Sequence, residues 1–126
     1  MSIWRSPDGT NDFEAMPAND RTGLMVTANC LNGYFHDPDY ASLGEVALRM
    51  AHKGPVGFWG TAGYTISSAQ FAMTRSFLDQ VLNDGVDLGT ASTLAKIELF
   101  GNGNAFWREE IAAWVLLGDP ATTLRQ

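Results

Sequence analysis

The sequence predicts an α/β fold in a single domain, and three observations carry that reading. Two continuous apolar runs, at residues 22–28 and 55–60, have the length of strands. A segment between them repeats its apolar residues at helical spacing, and three more such segments follow. The order strand, helix, strand implies a parallel pair joined by a crossover helix.

Residues 1–21 hold Pro7, Gly9, Asn11, Asp12, Pro17, Asn19 and Asp20 without an apolar period, which is the composition of a long loop. Thr22 to Ala28 reads as a strand covered on both faces. Ser42 and Glu45 have capping-box spacing and open a helix whose stripe is Leu43, Val46, Ala47 and Met50, ending near Lys53-Gly54. Pro55 to Gly60 is the second strand. Ser67 or Ser68 starts the next helix, with Phe71, Phe77, Leu78, Val81 and Leu82 at helical spacing, and Asn83-Asp84-Gly85 stops it. A third helix passes through Leu88, Ala91, Leu94, Ala95 and Ile97 to Gly101-Asn102-Gly103. A fourth is predicted from about Phe106 to Leu117, closing at Gly118-Asp119-Pro120.

The result is four helices and only two strands. Parallel strands sit in larger, covered sheets, so something should complete this one. A second copy across a two-fold axis is the simplest completion, and a homodimer through the sheet edge or face is expected.

At 126 residues, with 45% hydrophobic residues including seven Phe and four Trp, residues 1–126 can bury one core. No apolar stretch approaches a membrane span of roughly 20 residues, and the start lacks the pattern of a signal peptide, so a cytoplasmic location is the default. A formal charge of -6 with eight Lys and Arg argues against nucleic acid. Gly9 and Gly101-Asn102-Gly103 lack the context of a phosphate loop.

The single cysteine, Cys30, follows the first strand in Asn29-Cys30-Leu31-Asn32-Gly33-Tyr34-Phe35-His36-Asp37-Pro38. A strand that ends in small and polar residues delivers side chains to the open edge of a sheet, where nucleophiles sit; a small buried hydrophobe is the other reading. A thiol needs a base or a positive neighbour, and the chain has only His36 and His52. His36 and Asp37 share the Cys30 loop or belong to a solvated turn fixed by Pro38 and Asp39. His52 ends the first helix beside Lys53, where a cation meets the helix dipole, and is a reserve ligand. Trp59, Thr61 and Tyr64 follow the second strand as substrate-binding candidates at the same edge, or as packing residues.

Five blocks then combine: Asn29-Cys30-Leu31-Asn32-Gly33-Tyr34-Phe35, Ser42-Leu43-Gly44-Glu45, Gly54-Pro55-Val56-Gly57, Leu88-Gly89-Thr90-Ala91 and Val115-Leu116-Leu117-Gly118-Asp119-Pro120. In this order they resemble the C-terminal part of the gingipain-like cysteine peptidase domain, of the caspase-like clan, from about Thr22 to Arg125. The resemblance implies a truncated caspase-like fold with Cys30 as the family's nucleophile. It also implies a catalytic histidine in a His-Gly motif that this sequence does not contain. Trp4 resembles the aromatic residue after that motif, so the chain is expected to lack the N-terminal half.

Three functions follow. A metal-assisted hydrolase, preferred here, would hold zinc near Cys30 and His36, with Asp37 and His52 as further ligands, and act on small activated esters, phosphoesters or amides, peptidase activity being lost. The spacing matches no standard zinc motif, but a dimer joining two such loops raises the ligand count. A thiol acyl hydrolase would use Cys30 with His36 or a histidine of the second subunit. A noncatalytic subunit would pair with a separate N-terminal half through the exposed sheet edge.

Overall fold

The computed structural model describes residues 15–21, 23–102 and 107–125. The order of elements is β1 (Leu24–Val26), α1 (Leu43–Arg49), β2 (Gly57–Thr61), α2 (Ser67–Leu82), α3 (Leu88–Asn102), α4 (Trp107–Ala113) and β3 (Trp114–Gly118). Trp4, Gly9 and most of the loop expected over 1–21 lie outside the described residues, as does Gly103.

β1 and β2 form the parallel pair expected from the sequence, in register Leu24 to Gly57 and Val26 to Trp59. α1 crosses between them. Its capping box forms as read: Ser42 Oγ accepts from the Glu45 N–H at 3.3 Å, and Glu45 Oε2 accepts from the Ser42 N–H at 2.8 Å. Two backbone donors without intrahelical partners are thereby satisfied at the helix start. α1 stops at Arg49, so His52 lies in the turn beyond it with φ 61° and does not end the helix.

One prediction is corrected. The fourth helix ends at Ala113, and Trp114–Gly118 is a strand pairing antiparallel with β2 from Trp114 opposite Thr61 to Gly118 opposite Gly57. Continuous apolar residues fit a buried helix or a strand equally well by period alone. Here the second edge of β2 decides, because a helix at 114–117 would leave a row of backbone groups unpaired. The sheet order is β1-β2-β3, with β2 central and buried at every position. Among the described residues no strand covers the outer edge of β1.

Side chains alternate across β2. Trp59 enters the main core with Met73, Phe77 and Val81 of α2, Leu88, Ala91, Ala95 and Leu99 of α3, and Trp114 of β3. Phe58 faces the other way, toward Gly44 at the start of α1 and Leu117 of β3. Lys96 lays its stem along the core edge and donates from Nζ to the Trp114 carbonyl at 2.8 Å; burial holds its ammonium below the usual lysine range. Among the described residues, no helix is long and apolar enough to cross a membrane.

Candidate functional site

Because β1 and β2 are parallel, the loops after them emerge at the same edge of the sheet, the end at which open α/β sheets bind ligands. The first loop carries Cys30 and the second runs from Ala62 to Ile66. They are stitched together by backbone and side-chain bonds. Gly33 N–H donates to the Thr61 carbonyl at 2.8 Å and Leu31 N–H to the Gly63 carbonyl at 3.3 Å. Thr61 Oγ1 accepts from Leu31 N–H at 3.1 Å and donates to the Asn29 carbonyl at 2.8 Å. Within the loop the Asn32 amide donates to Asn29 Oδ1, and the Asn32 carbonyl accepts from Gly44 N–H at 2.9 Å, tying the loop to α1. Leu31 has a φ of 65°, a left-handed conformation that costs a branched side chain energy and persists only when its surroundings fix it.

This frame turns the Cys30 sulfur toward the second loop. The thiol donates to the Thr65 carbonyl at 3.4 Å and lies 3.9 Å from Thr65 Oγ1. The sulfur accepts from Thr65 N–H at 3.4 Å and from the Gln70 side-chain amide at 3.6 Å. The same amide donates to Thr65 Oγ1 at 2.7 Å. Cys30 is half-buried, and Gln70 is buried. α2, which carries Gln70, has no side-chain cap of its own at Ile66. The buried carboxylate of Glu110, on α4, accepts from the Ile66 N–H at 3.3 Å and places negative charge at that helix start. A groove lined by Ala28, Ser67, Gln70, Phe71, Thr74 and Leu78 opens beside Gln70.

The other residues singled out from the sequence are not gathered at the sulfur. His36 is exposed and stacks on Phe35, with ring centroids 4.2 Å apart, and lies 5.0 Å from the Tyr34 ring. Asp37 accepts from the N–H groups of Asp39 and Tyr40 at 2.9 and 3.1 Å, which builds a turn. His52 sits near Asp20, with Nδ1 3.8 Å from a carboxylate oxygen. Among the described residues no group of three or more His, Cys, Asp or Glu is placed to hold a metal ion. Trp59 is wholly buried, stacked on Phe77 at 4.6 Å and beside Trp114 at 5.3 Å. Thr61 is also wholly buried and clamps the loop, whereas Tyr64 is exposed at the edge.

Thr65, Gln70 and Glu110 were missed from the sequence. Their signal is indirect: Thr65 is in the loop after a strand parallel to the one before Cys30, so the topology alone places it near that residue. Compared with known families, residues 2–125 match peptidase family C25. No curated protein and no solved structure gives a significant match.

Proposed function

The chain belongs to peptidase family C25, and from that premise we propose that it is a thiol-dependent acyl hydrolase whose nucleophile is Cys30. One observation carries the reading: the sulfur is held at the sheet edge by the Thr65 N–H of the second loop and the Gln70 amide of α2, beside a groove, with no histidine bonded to it among the described residues. In the reaction, Sγ bonds to the acyl carbon and the thiol proton passes to a base. The leaving group departs with that proton, and water then cleaves the thioester and restores the thiol. The base is an imidazole brought by a partner chain at the edge of β1 that no described strand covers. A second copy, arriving with its own His36, is the first such partner to test, in keeping with the expected homodimer. Activated esters are favoured over peptides as substrates, because an ester leaves without the strong proton donation that an amine requires.

The test is chemical rescue. Hydrolysis of an activated ester is expected to be slow in the isolated chain, to rise with added imidazole, and to vanish with Cys30→Ala or after iodoacetamide. A rate indifferent to iodoacetamide overturns the proposal. Chelation is expected to leave the rate unchanged; a rate lost to chelation and restored by zinc would instead favour a metal shared between two subunits.

A further inference from the structure

Gln70 is a buried amide on α2, among the buried Ala69, Met73, Ser76 and Phe77, where a polar group is costly unless it is hydrogen-bonded. Its side-chain nitrogen divides its hydrogen bonds among the Thr65 hydroxyl at 2.7 Å, the Thr65 carbonyl at 3.5 Å and the Cys30 sulfur at 3.6 Å. Thr65 contributes its own N–H to the same sulfur and takes the thiol proton on its carbonyl. The sulfur therefore sits in a seat with two N–H donors and one acceptor, assembled 35 and 40 residues away along the chain. A neutral thiol uses the acceptor, and a sulfur anion keeps both donors without moving.

We propose that Gln70 is the positioning residue for Cys30, setting with Thr65 N–H how readily the thiol loses its proton. The proposal rests on the reading of Cys30 as nucleophile, in that positioning matters for catalysis only if the sulfur reacts. The charged and titratable groups around the seat are Glu110, bonded to Ile66 N–H next to Thr65, Tyr64 in the second loop, Arg75 farther along α2, and His36 and Asp37 in the loop of Cys30 itself. None of these bonds to the sulfur among the described residues, and of the two side chains that do reach it, the Thr65 hydroxyl at 3.9 Å and the Gln70 amide at 3.6 Å, Gln70 is the nearer.

The experiment measures the rate of iodoacetamide alkylation of Cys30 against pH for the parent chain and for Gln70→Ala, Gln70→Glu and Gln70→Lys. Losing a donor to a charged acceptor is expected to slow alkylation about tenfold at a pH below the midpoint in Gln70→Ala. Gln70→Glu, nearly the same shape, is expected to slow it further and to raise the midpoint most. Gln70→Lys is expected to lower the midpoint below that of the parent. A merely structural role would change thermal stability without ordering the midpoints by the charge of the donor. Equal midpoints in the folded Ala, Glu and Lys variants overturn the proposal. Alkylation ordered in this way with an ester hydrolysis rate untouched by Cys30→Ala would instead sink the nucleophile reading and leave the seat standing.

Discussion

Phe58 and Trp59 are neighbours on β2 and point to opposite faces of the sheet, yet their surroundings have little in common. Around Trp59 the face is filled by bulk: Phe77 and Trp114 against the ring, with α2 and α3 layered behind. Around Phe58 it is filled by absence. A Cβ at Gly44 or Gly60 would lie 2.8 or 2.7 Å from the Phe58 ring, closer than real side chains approach, and one at Gly33 would be crowded at 3.1 Å. The thick face stabilises the domain through buried area. The thin face lets α1 and the Cys30 loop lie directly on the sheet, and so it positions the site.

Four perturbations sharpen that contrast. Trp59→Ala is expected to cost about 3–5 kcal/mol in urea unfolding, because a wholly buried ring on the thick face leaves a cavity. Thr61→Val keeps the shape of the clamp but strips the Asn29 carbonyl of its hydroxyl donor and leaves Leu31 N–H only its longer bond to the Gly63 carbonyl, with an expected loss of about 1–3 kcal/mol. Its diagnostic is hydrogen exchange, with the Leu31 amide losing protection while amides of α3 keep theirs. Gly44→Ala tests the sign on the thin face. Helix propensity alone would favour the alanine by about 1 kcal/mol, but crowding against Phe58 costs about 1–3 kcal/mol, so the variant should be the less stable one. A stabilised Gly44→Ala would mean that the thin face yields easily.

The smallest effect is one of pH at the start of α3. Hydrogen bonds from the Thr90 N–H and then from its hydroxyl hold the Asp87 carboxyl below the usual carboxylate range. A carboxylate with a depressed pKa stabilises the fold above its ordinary value, and that contribution is lost as pH falls through the lowered one. Thermal midpoints of Asp87→Asn should therefore vary less across the acid range than those of the parent chain.

Local signals were legible. Ser42 and Glu45 lie within one helical turn, and their reciprocal cap could be read and does form. The Asn83-Asp84-Gly85 stop after α2 is just as local, with Gly85 at φ 66°. Trp114–Leu117 was misread because its conformation depends on the vacant edge of β2, some 55 residues earlier in the chain. Thr61 reads from the sequence as a substrate-binding candidate or a packing residue; its hydroxyl is bonded to the Cys30 loop, a use that no spacing reveals.

By itself the sequence determined the order strand, helix, strand, the capping box of α1 and the stop after α2, the placing of Cys30 after the first strand, and a resemblance that the family match bears out. These depend on residues within a turn or a strand length of each other, so the local chain encodes them. Only the tertiary structure decided that Trp114–Gly118 closes one edge of the sheet, that His36 stacks on Phe35, and that Thr65 and Gln70 bond to the sulfur. Those outcomes are settled by which distant backbone edges and buried polar groups must find partners, and such a requirement exists only once the chain has folded back on itself.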